Sequence, residues 1–122
     1  MNSVQRFFKS VMYACKGIVH VFSNEQNFRL QSFIAILVII GIFWLRPSLT
    51  EIAILVLTIV IVFVVEFTNT VFERVADVLK PRLHPYAKTI KDVMAGSVLF
   101  SVLGSIAVGL IIFLPIVIEK YF

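Results

Sequence analysis

The chain of 122 residues has one cysteine, five glycines and four prolines, so it is poor in the residues that staple, hinge or break a fold. A lone Cys15 cannot close an internal disulfide and lacks the partners of a structural zinc site, so it reads as an apolar packing residue. The glycines stand singly, and neither GxxxxGK[ST] nor GxGxxG occurs, which excludes a P-loop and a dinucleotide-binding fingerprint. No aromatic-basic nucleic-acid motif is present. The apolar positions near the N-terminus are interrupted and no small-residue cleavage site follows them, so they do not read as a signal peptide. Polar residues are scarce along two stretches. Residues 33–45 have none, and residues 52–65 have nothing more polar than Thr58.

What is present is apolar surface. Hydrophobic residues make up 60% of the chain and the mean hydropathy is +1.01, beyond what a soluble domain of this size needs for its core. The composition predicts an all-α membrane protein forming a single domain over residues 1–122. Three crossing helices alone enclose no large pocket, so the surface left over is expected to meet further copies of the chain.

Four segments follow from periodicity. Val4, Phe7, Phe8, Val11, Met12, Cys15, Ile18, Val19 and Phe22 recur at helical spacing, with Arg6, Lys9, Ser10, Lys16 and His20 on the other side, the pattern of an amphipathic surface helix over about residues 3–22. Ser23 with Gln26 has the spacing of a capping box, which predicts a helix from Asn24 and a first span over about 28–45. "RPSLTE" turns the chain at 46–51. The second span, about 52–72, continues as a helix because neither Gly nor Pro interrupts it before Pro81. Pro81 and Pro85 mark a loop. Pro85 then opens the third helix at its first position, with His84 outside it, and 93–118 supplies the third span. Pro115 is tolerated near its end.

Charge orients these spans. Arg6, Lys9, Lys16 and Arg29 flank one side of the first span, and Arg74, Lys80, Arg82, Lys88 and Lys91 lie between the second and third, whereas the opposite ends hold only Arg46 and Lys120. By the excess of cations in cytoplasmic loops, the N-terminus and the 73–92 region are predicted to be cytoplasmic. The net charge of +4 suits anionic headgroups and a polyanionic ligand.

The stretch "EFTNTVFERVAD", residues 66–77, stands out against this background. At 100° per residue Glu66, Asn69, Thr70, Glu73 and Asp77 fall within roughly a quarter of the helix circumference, one polar stripe on an apolar rod. Such a stripe can pack for structure alone against Lys88, Lys91 and Asp92 or against another subunit. Glu66, however, lies about 10 Å deeper than Glu73 by the rise of the helix, where a carboxylate facing lipid costs several kcal/mol. That depth favours a site. Carboxylates and an amide on one face, beside lysines, suit a hard cation such as magnesium together with the phosphates it accompanies, ATP being the obvious carrier.

Three segments carry a resemblance. "EQNFR" (25–29), "EFTNTVFERVAD" (66–77) and "HPYAKTIKDVMAG" (84–96) closely resemble the small prokaryotic lipid kinases, the diacylglycerol kinase and undecaprenol kinase family, over nearly the whole chain. The resemblance implies three transmembrane helices with an N-terminal surface helix, a homotrimer in the bacterial cell membrane, and transfer of the γ-phosphate of Mg-ATP to a lipid hydroxyl. It places Glu66 as the catalytic base and Asn69 as the group that orients Glu66 or the transferred group. Glu25 and Glu73 hold the magnesium. Asp77 and Asp92 contact the nucleotide end, Lys91 neutralises phosphate, and Arg6 and Lys9 reach the nucleotide from the surface helix. The three segments look most like members from Gram-positive bacteria, which implies undecaprenol as the lipid, with diacylglycerol the alternative. Phe72, Ala76 and Gln31 depart from the family's commoner residues, Gln31 standing where relatives often have His or Glu.

Each role has a plainer counterpart. Glu25 in a first helical turn is favoured by the dipole, Lys88 and Lys91 can be snorkelling interfacial lysines, and Arg29 can anchor its helix at headgroup level. His84 reads as structural or as an edge contact. Ser97, Ser101, Ser105 and Gly109, with Gly96 and Gly104 alongside, form a small-residue groove for another helix, in a trimer or within the chain. A catalytically silent assembly partner is a third reading, and an ion- or proton-conducting bundle would also use Glu66 and Asn69. Conduction, however, requires polar residues along the whole span, and residues 33–45 and 52–65 do not supply them.

Overall fold

A computed structural model of the chain describes residues 1–80, 82 and 84–122. Pro81, expected to mark the loop, and the side chain of His84 lie outside the described residues. Four helices follow in order: α1 (Ser3–Asn24), α2 (Gln26–Leu45), α3 (Leu49–Val78) and α4 (His84–Tyr121). The last three are long and apolar enough to cross a membrane.

The helix ends are set by local chemistry. Asn2 caps α1: its side chain accepts from the Gln5 amide at 2.8 Å, and the Gln5 side chain accepts from the Asn2 amide at 3.2 Å. The expected capping box at Ser23 is not formed. Helix α1 instead runs on to Asn24, whose side chain donates to the His20 carbonyl at 2.8 Å, and Glu25 alone takes an extended conformation before α2 begins at Gln26. Arg29 reaches back across this break, donating to the carbonyls of Phe22 at 2.8 Å and Ser23 at 3.0 Å, so the open end of α1 finds its acceptors' partner one turn into the next helix.

Between α2 and α3 only Arg46, Pro47 and Ser48 intervene. Arg46 sits in the left-handed region at φ 51° and returns its amide to the Ile42 carbonyl at 3.0 Å. Ser48 and Glu51 then form a capping box, with bonds of 2.9 and 3.2 Å. Helix α3 therefore starts at Leu49, ahead of the expected 52. It continues without a break through the acidic stretch to Val78, as its lack of Gly and Pro requires. Helix α4 opens at His84, so His84 belongs to the helix and Pro85 takes its second position; it carries Pro115 internally and ends at Tyr121.

Helix α3 packs most extensively on α4, with α2 along the side of the pair. The buried apolar set is small: Val21, Phe28, Ala35, Leu55, Val62, Ala76, Ala87 and Ile112. Most Leu, Ile, Val and Phe side chains of the three long helices face outward, the arrangement that a hydrocarbon solvent permits. A partly open cavity of about 340 Å³ lies between α2, α3 and α4. Ser105 and Gly109 line it from α4, so part of the small-residue row faces the chain's own helices, while Ser97, Gly96 and Gly104 are exposed.

Candidate active site

One buried carboxylate organises the cytoplasm-predicted end of the bundle. Glu66 is 0% exposed, the most completely buried large side chain among the described residues, and Asn69 and Thr70 beside it are each 5% exposed. Helical spacing explains the cluster, since offsets of three and four put Asn69 and Thr70 over the same face as Glu66. The Thr70 hydroxyl donates to the Glu66 carbonyl at 3.0 Å, which spends it locally. Phe28 of α2 lies against Phe63 and Phe67 of α3, with ring centroids 5.1 and 5.2 Å apart, and forms an apolar wall along this part of α3.

The partners of Glu66 are few. Gln31 of α2 donates its amide to Oε2 of Glu66 at 3.4 Å. Asn69 donates to Oε1 of Glu73 at 3.3 Å, linking the deep carboxylate region to the shallower one. Three oxygens have no hydrogen-bond partner among the described residues: Oε1 of Gln31, Oε1 of Glu66 and Oδ1 of Asn69. All are acceptors, all are buried, and a buried acceptor left without a donor costs about 1–3 kcal/mol. The cluster is therefore built to receive donors or a cation.

The outer acids meet a different setting. Glu73 is half-buried, while Asp77 is exposed and forms an ion pair with Lys91 of α4. Lys88 and Asp92 pair with each other one turn apart at 2.8 Å, both well exposed. The ion pair of Asp77 with Lys91 is the plain packing that the stripe admits; the buried end of the stripe is not paired in this way. The carboxylates whose charges reach Glu66 are Glu25 and Glu73. Glu25 is itself the single extended residue between α1 and α2.

The predicted site residues thus divide. Glu66, Asn69, Glu73, Asp77 and Lys91 lie along facing stretches of α3 and α4, Asp92 adjoins Lys91, and Glu25 is electrostatically in range. Arg6 and Lys9 are not brought to this cluster within the chain: both are exposed on the far part of α1, with no hydrogen bond or ion pair to it among the described residues. Sequence reasoning missed Gln31, which it treated only as a departure from a pattern.

Among the described residues no group of three or more His, Cys, Asp or Glu is gathered as a ready metal cage. Magnesium needs less, being held by one or two carboxylates with the remaining positions left to phosphates and water. Glu73, whose carboxylate adjoins Asn69 with its unpartnered oxygen, and Glu25, whose charge reaches the same cluster, fit that requirement.

Comparison with known proteins gives a consistent match. The family model for prokaryotic diacylglycerol kinase covers residues 12–113. The chain is 38% identical over 114 residues to the undecaprenol kinase of Bacillus subtilis, covering 93% of each chain. It is 34% identical over 107 residues to a diacylglycerol kinase of Synechocystis, covering 87% of this chain and 61% of that one. With the diacylglycerol kinase of Haemophilus influenzae it shares 27% identity over 114 residues, covering 92% and 97%. No solved structure matches the chain.

Proposed function

Since the chain belongs to the prokaryotic diacylglycerol kinase family and is a lipid kinase, we propose that it transfers the γ-phosphate of ATP to the hydroxyl of undecaprenol at the cytoplasmic face of the bacterial cell membrane. The observation that carries this reading is Glu66: fully buried, one oxygen held by Gln31 and the other without a partner among the described residues. A carboxylate in that state is ready to accept a proton.

In the proposed reaction Glu66 takes the proton of the lipid hydroxyl, the alkoxide oxygen attacks the γ-phosphorus, and the bond to ADP breaks as the new ester bond forms. Asn69, which donates to Glu73 and whose oxygen has no partner among the described residues, orients Glu66 or the transferred phosphoryl group. Glu25 and Glu73 would hold magnesium, which would supply charge neutralisation to the ATP phosphates. Lys91 neutralises phosphate charge, and Asp77 and Asp92 contact the nucleotide end. Arg6 and Lys9 serve the nucleotide from α1 lying on the membrane surface, in a homotrimer. Such a division asks for positioning and charge stabilisation but no dedicated nucleotide fold, which is why a chain without a Gly-rich phosphate loop suffices.

The identity to the Bacillus protein supports undecaprenol; the names of the Synechocystis and Haemophilus relatives make diacylglycerol the alternative. The buried polar side chains Glu66, Asn69 and Thr70 sit together at one end of α3, which gives a conducting path no support. The deciding experiment presents purified protein in mixed micelles with radiolabelled ATP and equal mole fractions of undecaprenol and diacylglycerol. Faster labelling of undecaprenol is expected; faster labelling of diacylglycerol would overturn the substrate while leaving the kinase in place.

A further inference from the structure

The cavity between α2, α3 and α4 begins where the catalytic cluster ends. Gln31, which holds Glu66, stands at one end of its lining, with Val62 and Phe63 one helical turn below Glu66. From Val102 to Phe113 the α4 wall runs about 16 Å along the bundle by the helical rise. Apart from Gln31, the only side chains on the lining with a polar group are Thr58 and Ser105, and neither has a free donor. The Thr58 hydroxyl donates to the Ile54 carbonyl at 2.7 Å and that of Ser105 to the Val102 carbonyl at 2.7 Å. Water entering here would find no donor to accept from and no orphaned acceptor below Gln31, so the space favours hydrocarbon.

Size and polarity together select the occupant. At about 340 Å³ the cavity is roughly twice the size of one that takes up benzene. At one end of its lining Gln31 has an oxygen without a partner among the described residues and donates its amide to Glu66, whose own second oxygen is likewise without one, so a donor is called for there. One hydroxyl on one apolar chain meets both demands. Resting on the function proposed above, we infer that this cavity receives the leading isoprenoid units of a single-tailed prenol, with Gln31 holding Glu66 against its hydroxyl. Diacylglycerol can place one chain here and must leave the other in the bilayer, so the cavity is also a device for choosing between the two lipids.

Gly109 gives the test. A Cβ there meets nothing within 4 Å and the residue lines the cavity, so a larger side chain is expected to occupy part of that space. Gly104 likewise has open space around its Cβ but is exposed and does not line the cavity. The full chain, Gly109→Leu and Gly104→Leu are compared for kcat/KM with undecaprenol and with geraniol, a short prenol. Gly109→Leu is expected to lower the undecaprenol-to-geraniol ratio about tenfold or more, the scale on which a filled apolar pocket discriminates, while Gly104→Leu keeps the ratio of the unaltered chain. In parallel, a photoactivatable prenol should label the 102–113 segment of α4 and lose that label in Gly109→Leu. An unchanged ratio, an equal fall in both variants, or labelling confined to α1 or the outer faces would overturn the inference. If the unaltered chain phosphorylated no prenol, the proposed substrate would fall, and the photolabel would still decide whether the cavity takes a prenyl chain.

Discussion

Glu66 and Asp77 stand three turns apart on one helix and live in opposite surroundings. Asp77 is exposed and its charge is answered by Lys91; Glu66 has no exposure, a neutral amide for a partner, and a second oxygen with none among the described residues. A uniform structural stripe would grow better paired as it goes deeper, because each unpaired polar group costs more there. Here pairing weakens with depth. The shallow end holds helices together, and the deep end is left open for something the chain itself does not provide.

The contrast can be broken experimentally, first at its deep end. Glu66→Gln keeps the shape and can still pair with Gln31, but it cannot take a proton. Turnover should fall by about 10²–10⁴, the usual worth of a positioned general base, with helix content and oligomeric size unchanged. A variant that retained most of its activity would make Glu66 a packing residue like Asp77. Next comes the half-buried Glu73. Glu73→Gln, and separately Glu25→Gln, should raise the magnesium concentration needed for half-maximal rate by at least the ~10–100-fold that changes around a metal site cost. Identical magnesium titrations would return both to structural roles.

Gln31→Leu sharpens the comparison further. It removes a hydrogen bond from a neutral amide to the Glu66 carboxylate, a net contribution of about 1.5–3 kcal/mol for a charged acceptor, so kcat should drop by about ten- to a hundredfold. KM for ATP should stay the same, a split that general loosening of the bundle would not produce. The smallest effect belongs to Asp77→Asn. With both partners at the surface, the thermal midpoint should not move measurably, whereas KM for ATP should rise a few-fold if Asp77 faces the nucleotide end. A clear loss of thermal stability with KM unaltered would make the ion pair purely architectural.

What the sequence revealed and what it hid divide along a physical line. The unbroken α3 was legible because only Gly or Pro would have stopped it, and neither is there. The start of α3 and the boundary of α1 were misplaced for one shared reason. A capping box is two residues three apart, and the same spacing recurs inside any helix, so Ser23 with Gln26 imitated a start while Ser48 with Glu51 made one. The carbonyls near Ser23 are answered by Arg29, six residues on, a solution no local pattern announces. Along α3 the shared face of Glu66, Asn69, Thr70 and Glu73 followed from periodicity alone. How α2 is rotated against α3 did not, so Gln31 was visible only as an unusual residue, although its amide lies on a carboxylate 35 positions away. The cavity was hidden for a further reason: Thr58 and Ser105 look polar in a sequence, and only the structure reveals both hydroxyls turned back on their own helices.

The connection between α2 and α3 also limits how copies of the chain can be interleaved. From Leu45 to Leu49 the backbone reaches at most about 14 Å, enough to join neighbouring helix axes some 8–10 Å apart and too little to pass around a third helix. With Arg46 in its left-handed turn and Ser48 already locked into the next helix, there is no slack to release. The two helices must therefore enter the membrane as one hairpin and remain neighbours in any assembly. Within one chain Gln31 already reaches Glu66, so the hairpin that joins their helices carries both halves of the pair.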